Sequence, residues 1–399
     1  MHHNRLYRRA LMLGLACALL LPASAQAQFH LVSRKSIAIT VAAPDQAGAE
    51  VVESHYIDRV GSSAFDRIGL HRLLAAGAGT QGPVLLFLPG TNMNGELPLT
   101  DPSHWLPLFL ALHGVDVWSL DYRTHFVPPD TPPASLAALR KWNIALFGDD
   151  IGRAAAFIAQ ATGRPLLFVA GFSRGAQFAY LFAASHPGQV QGLIILDGYL
   201  FHRVPGGNAR ARSPRRYVDD IGGGKLTWDK RKALLEAVVS QPQGPAPLPQ
   251  FHTAAENLAH VVYSAAAFGG HGGLANPQGG FSDPVVLARV LLTYDRYWPA
   301  VQDQEEALSA QLRSSLAAAR IPVIAFSSTN IAPQWPTRVW QSATGSGGQV
   351  DVTVLSGWGH LDVLCGTRAQ ARVYEPILKF IRQHAESAGN HPRSDSPLP

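Results

Sequence analysis

The run Gly171-Phe172-Ser173-Arg174-Gly175 has the spacing of a nucleophilic turn. An apolar stretch, Leu166 to Ala170, precedes it, and an Ala- and aromatic-rich stretch, Ala176 to Ala184, follows. These patterns predict a buried strand and then a helix. A serine on so sharp a turn sits at strained backbone angles, with its hydroxyl pushed above the sheet. Gly171 and Gly175 are required because side chains there would collide with the neighbouring strand and helix. The first N–H groups of the helix aim at the same place, where an oxyanion would form. A second stretch could assist. Pro89-Gly90-Thr91-Asn92-Met93-Asn94-Gly95 bends just past the apolar run Val84 to Leu88, and the backbone N–H of Thr91 or Asn92 could donate to the same oxyanion.

Such groups work only if a rigid frame brings them together. Strand patterns at 84–88, 115–120, 166–170 and 192–196 alternate with helical ones at 104–113, 136–160 and 176–184. That alternation predicts a parallel sheet with helices on both faces. Ligands of such sheets bind at the carboxyl ends of the strands, where Thr91, Ser173 and Asp197 fall. Before this region, 36–42 and 51–59 alternate as half-buried strands, while 67–74 fits a strand or a short helix. Asp149 and Asp150 read as charges on a solvated helix face or in a first helical turn. From 201 to 317 the alternation stops. A basic patch (203–216), a Pro-rich run (242–249) and a Gly-rich stretch (269–280) lie there, with helical segments near 228–240, 284–298 and 303–320. This segment reads as a cap inserted over the strand ends, shaping a pocket and excluding water. The sheet resumes at 321–326 and, after a crossover at 335–347, at 350–355. It ends in Ser356-Gly357-Trp358-Gly359-His360-Leu361-Asp362, followed by a helix near 368–385 and a polar, proline-containing tail (387–399) expected to be disordered.

Composition sets the remaining limits. Arg5, Arg8 and Arg9, an apolar run from Ala10 to Leu21 and the small residues around Ala25 and Ala27 form a secretory leader, so residues 1–27 are expected to be cleaved and the mature chain secreted or periplasmic. No later run is long enough to span a membrane. Removing the leader leaves Cys365 alone, so no internal disulfide is expected. Three of the five net positive charges are the leader arginines, leaving about +2. A polyanionic partner such as nucleic acid is therefore not expected. His252, His260 and His271 lack a tight metal-ligand spacing, so no metal is expected.

The Ser173 turn, the earlier glycine-rich bend, a cap between strands and the late Gly359-His360 loop together resemble the α/β-hydrolase fold across most of the mature chain. The ending Gly-Trp-Gly-His-Leu-Asp-Val-Leu, with Val373-Tyr374-Glu375-Pro376-Ile377-Leu378, is similar to the closing segment of acid-lipase-like members. The resemblance implies Ser173 as nucleophile, His360 as base and an acid to orient it. In most of the family that acid follows the strand ending here at Phe326, but the loop Ser327-Ser328-Thr329-Asn330-Ile331-Ala332-Pro333 has no carboxylate. Asn330 stands where Asp is expected. Some members place the acid one strand earlier, which points to Asp197; Asn330 is the alternative. Asp362 lies too near His360 to orient it and is expected to brace the loop. The implied activity is hydrolysis of a small-molecule carboxylic ester, with a hydrophobic acyl or aryl part, without cofactor. Its oxyanion would meet N–H groups of Arg174 and of Thr91 or Asn92. Acyl transfer by the same residues, or ligand binding without catalysis, are the alternatives.

Overall fold

The computed structural model of the chain describes residues 27–40, 49–79, 82–200, 214–216, 220–221, 224–225, 228–247, 249–263 and 282–389. The expected leader (but for residue 27), most of the basic patch, the Gly-rich stretch and the last ten residues of the tail lie outside them. Nine strands form one sheet: β1 (His30–Ala38), β2 (Glu50–Arg59), β3 (Arg67–Ala75), β4 (Val84–Leu88), β5 (Asp116–Asp121), β6 (Leu167–Phe172), β7 (Val190–Leu196), β8 (Ile321–Ser328) and β9 (Gly347–Leu355). Their spatial order is β1-β2-β3-β5-β4-β6-β7-β8-β9. The first three strands run antiparallel to their neighbours, and β5, β4, β6, β7, β8 and β9 are mutually parallel. The undecided stretch at 67–74 is thus a strand, fixed by ladders on both sides to β2 and β5. The first strand begins earlier than its alternation suggested. As an edge strand it leaves Leu31 and Val32 exposed, so apolar spacing was a poor guide to its limits.

Helices α1 (Leu106–Leu112) and α9 (Glu375–Gly389) cover one face of the sheet; α2 (Ile144–Thr162), α3 (Arg174–Ser185) and α8 (Trp335–Thr344) cover the other. In β4, Leu85 and Phe87 point into the first core, and Val84, Leu86 and Leu88 into the second. In β6, Phe168 and Ala170 alternate in the same way with Leu167 and Val169. A strand buried on both faces needs apolar residues at every position, which is why these runs read as continuous. Between β7 and β8 lie α4 (Trp228–Ser240), α5 (Ala254–Tyr263), α6 (Pro284–Leu292), a short strand Tyr297–Pro299 and α7 (Ala310–Ala319). The first three helices add Leu234, Leu258 and Leu287 to the same core as α1 and α9. Helix α7 lies on α3, where Ser315 Oγ donates to Ala184 O at 2.8 Å. Among the described residues no helix is long and apolar enough to cross a membrane.

Two local readings are corrected. The helical stretch expected over 136–160 is a 3₁₀ segment, Ser135–Lys141, followed by α2. It breaks because Asn143 caps α2, its Oδ1 accepting the Leu146 N–H at 2.8 Å. Asp150 is not solvated. It is buried and receives both Nε and Nη2 of Arg123, at 2.6 and 2.8 Å, while Nη1 of Arg123 reaches Asp66 at 2.5 Å. Asp149, one residue away, is exposed.

The path from β4 to β5 runs to one side, and the path from β5 to β6 crosses back over β4. The strand order therefore reverses beside β4 and β6, which opens a crevice at their carboxyl ends.

Candidate active site

Ser173 sits between β6 and α3 with φ 55° and ψ −115°. Only close packing around the turn can hold a residue with a Cβ there. A Cβ on Gly171 would lie 2.3 Å from Gly175 O, and one on Gly175 would lie 1.9 Å from Leu88 O. The two glycines thus let β6, α3 and β4 approach to within backbone contact. The Ser173 N–H donates to Leu196 O at 2.9 Å, which ties the turn to the end of β7. Among the described residues only four non-glycine residues have positive φ: Asn92, Ser173, Asp197 and Arg320. The first three follow the carboxyl ends of β4, β6 and β7, so backbone strain is concentrated at the crevice.

Asp197 is fully buried, and four donors surround its carboxylate. Oδ1 accepts from Ser328 N–H at 2.7 Å and Trp335 Nε1–H at 3.0 Å. Oδ2 accepts from Ser328 Oγ at 2.7 Å and lies 2.6 Å from His360 Nδ1. A carboxylate only accepts, so Nδ1 of His360 carries the proton of this bond, which makes Nε2 the ring nitrogen that can exchange a proton with a neighbour. The His360 ring packs on Phe172, centroids 4.6 Å apart, and meets the edge of Trp335 at 5.9 Å. This places the imidazole beside the residue preceding Ser173. The loop carrying it is braced: Asp362 Oδ2 accepts the Gly359 N–H at 2.7 Å, Asp362 Oδ1 accepts from Ser282 Oγ at 2.5 Å, and Thr329 Oγ1 accepts the Gly357 N–H at 2.8 Å. Asn330, the alternative orienter, is half-buried and gives its backbone N–H to Trp358 O at 3.0 Å.

The bend after β4 is held as tightly. Tyr122 Oη donates to Pro89 O at 3.0 Å, and Met93 N–H donates to Gly90 O at 3.1 Å. Thr91 is half-buried and Asn92 buried, with φ 64°. Asn92 and Asp295 exchange two bonds: Asp295 N–H to Asn92 O at 2.7 Å, and Asn92 Nδ2 to Asp295 O at 2.9 Å. Arg174 opens α3. Its side chain turns away to Gln177 Oε1 (3.1 Å), Gln302 O (3.2 Å) and the Asp303 carboxylate, so any oxyanion donor it supplies is its backbone N–H.

A second polar cluster, which the sequence reading did not find, underlies this bend. Cross-strand register sets His55 on β2 opposite His71 on β3, and Gly69 on β3 opposite Asp121 on β5. His71 bridges two carboxylates, with Nδ1 2.8 Å from Glu53 Oε1 and Nε2 3.1 Å from Asp121 Oδ2. Lys35 pairs with Glu53 at 2.7 Å, and Asp121 Oδ1 accepts the Gly95 N–H at 2.7 Å. Burial opposes a charge on His71, but Asp121 and Glu53 outweigh it and hold the imidazolium up to about 9. Burial alone would raise the Asp121 carboxyl; His125, His71 and His55 instead hold it well below the usual range. His55, His71 and Asp121 bring three metal-binding atoms within 4.8 Å of one another. However, the two imidazoles are stacked, with centroids 4.1 Å apart and planes 13° from parallel. Their in-plane lone pairs run side by side and cannot converge on one ion at about 2.0–2.1 Å. The arrangement suits a hydrogen-bonded charge network, not a metal.

No protein-family model matches the chain, and no curated protein matches it. Solved structures do. A candidate lipase from Sulfolobus solfataricus superposes with TM-score 0.68 at 24% identity, over 89% of this chain and 99% of that one. A thermophilic esterase from Thermogutta terrifontis gives TM-score 0.44 at 17% identity, over 88% and 99%. A peroxisomal α/β-hydrolase from Saccharomyces cerevisiae gives 0.44 at 13%, over 93% and 92%. The first of these likenesses, together with a mostly parallel sheet that reverses its strand order beside a strained serine turn, establishes that the chain has the α/β-hydrolase fold.

Proposed function

We propose that this chain is a serine hydrolase of carboxylic esters. The observation that carries the reading is the bond between His360 Nδ1 and the buried Asp197, 2.6 Å long, made by a ring that packs on Phe172 beside the strained Ser173. A serine hydroxyl is a weak nucleophile at neutral pH. In this proposal His360 Nε2 takes the Ser173 proton as Oγ attacks the ester carbonyl. The carbonyl π electrons move to oxygen, and the oxyanion is met by the backbone N–H groups of Arg174 and of Thr91 or Asn92. The imidazolium returns its proton to the departing alkoxide, which leaves as the alcohol. Water then attacks the acyl-enzyme, losing a proton to His360; as that second intermediate collapses, the C–Oγ bond breaks, the imidazolium returns the proton to Ser173 Oγ, and the acid is released. Asp197 keeps the Nδ1 proton in place and stabilises the transient cation.

The proposed substrate is an ester with a hydrophobic acyl or aryl part; the solved structure that shares the fold is described as a candidate lipase. The reading as a non-catalytic binding protein drew its motive from the carboxylate missing at 327–333; the Asp197–His360 bond argues against it. The test is turnover by purified residues 28–399 on 4-nitrophenyl esters of graded acyl length. Hydrolysis by the parent and its loss in Ser173→Ala, with the thermal midpoint preserved, are the expected results. Equal turnover by Ser173→Ala would refute the assignment, and ester formation from added alcohol would shift it to acyl transfer. The leader at 1–27 further suggests export, which N-terminal sequencing of protein recovered outside the cytoplasm would test.

A further inference from the structure

Asp295 lies between α6 and the strand Tyr297–Pro299, within the segment inserted between β7 and β8. Its backbone is clasped to Asn92 by the two bonds described above. Its carboxylate, 8% exposed, then gathers the neighbouring chain. Oδ1 lies 3.0 Å from His125 Nδ1 and 3.1 Å from Asn94 Nδ2, and Oδ2 accepts from Thr124 Oγ1 at 3.4 Å. Asn94 Nδ2 also donates to Thr293 O at 2.6 Å. Its two hydrogens are used on Thr293 O and Asp295 Oδ1, so the 3.1 Å approach of Asn94 Nδ2 to His125 Nδ1 needs no bond between them. Every polar atom here has a consistent role when His125 donates Nδ1–H to Asp295.

This clasp fixes the bend that would carry an oxyanion donor. Asn92 holds φ 64°, in the left-handed region, and the peptide joining Thr91 to Asn92 decides where the Asn92 N–H points, while the Thr91 N–H lies one peptide earlier in the same bend. Oxyanion donors act through their aim, and a displacement of about 1 Å costs roughly 100-fold in rate. Among the described residues, the Asn92 carbonyl accepts only from the Asp295 N–H, and the Asn92 side-chain amide donates only to Asp295 O.

We infer that Asp295, hydrogen-bonded to His125, is a positioning residue that sets the oxyanion bend, so that donor geometry depends on this inserted segment being seated. The inference rests on the ester-hydrolase reading. The charged partner is available at neutral pH: burial opposes a charge on His125, but Asp121, Asp295 and Glu96 outweigh it and hold the imidazolium up to about 10. The groups facing His125 are Asp295, Asn94 and, at 4.0 Å from Nε2, Glu96, with Asp121 at longer range.

The experiment measures 4-nitrophenyl butyrate hydrolysis by the parent, Asp295→Asn and His125→Gln. Reactive Ser173 is titrated with a fluorophosphonate, so that kcat refers to competent sites only. Affinity for a trifluoromethyl ketone, which forms a tetrahedral adduct with the serine, is measured alongside. The expected result is a kcat lowered roughly 10- to 100-fold with KM within about threefold, and ketone affinity lowered by a similar factor. A merely structural role would lower the number of titratable sites and leave kcat per site unchanged. Parent-like kcat and ketone affinity in the variants overturn the inference while the hydrolase reading stands. Should one variant fail to fold, the other decides. A parent that neither turns over ester nor reacts with fluorophosphonate overturns the hydrolase reading and this inference with it.

Discussion

His360 Nδ1 stands 2.6 Å from Asp197 Oδ2, and the other oxygen of that carboxylate is held by two groups that can only donate, Ser328 N–H and Trp335 Nε1–H. The second relationship decides what an amide would do here. In Asp197→Asn the amide oxygen must stay with the two obligate donors, which turns the NH₂ toward His360. Nδ1 would then accept and the ring proton would move to Nε2, where it blocks proton removal from Ser173. The variant is expected to fold normally and lose on the order of 10⁴-fold in kcat. Steady-state ester hydrolysis with a parallel thermal melt checks this.

Asn330→Ala should behave differently. Asp197 already accepts the Nδ1–H bond of His360, and the backbone N–H of Asn330 bonded to Trp358 O survives the substitution. Turnover within about threefold of the parent is expected. A loss approaching that of Asp197→Asn would move the orienting role to Asn330.

Arg123→Ala addresses stability, not chemistry. The guanidinium is buried between Asp150 and Asp66, and its removal leaves the buried Asp150 carboxylate without its two bonds. Burial already pushes the Asp150 carboxyl up against the pull of Arg123. A loss of about 3–5 kcal/mol is expected from urea unfolding. A change under 1 kcal/mol would show that the pair contributes little beyond its own desolvation.

The sheet network predicts an alkaline loss of stability. The His71 imidazolium is raised from 6.5 to about 9, and that of His125 from 6.5 to about 10. Between 6.5 and these values the folded chain binds protons that the unfolded chain has released, so stability falls as pH rises. The contribution is fully present below about 6.5 and gone above about 10, with a slope of up to about 1.4 kcal/mol per pH unit for each imidazole. Urea midpoints measured from pH 6 to 10 should fall across that window, and His71→Gln should flatten the first part of the fall. A flat profile would contradict the assignment of charge to these rings.

The fold was legible where local pattern and burial coincide. The runs at 84–88 and 321–326 are apolar because both faces of the sheet are covered, and the Gly171 and Gly175 spacing encodes a close approach of backbones. Asp197 could be named as a candidate because it ends a predicted strand, at a place where the family resemblance implies that some members carry the acid. Its partners could not: Ser328, Trp335 and His360 are 131, 138 and 163 residues away, and only the parallel register of β7 and β8 brings the first of them close. The His71 network was invisible for the same reason, since Glu53, Asp121 and Gly95 meet it through strand register and a loop, not through any spacing. Asp150 misled because a charge on a helix reads as solvated until Arg123, 27 residues earlier, is seen beneath it.

The reaction of the purified chain with a fluorophosphonate, followed by mass spectrometry of its peptides, tests most directly whether His360 activates Ser173. One adduct on the peptide containing Ser173, formed rapidly by the parent and slowed at least about 100-fold in His360→Ala, is the predicted result. No adduct on that peptide, or an equal rate in His360→Ala, would contradict it.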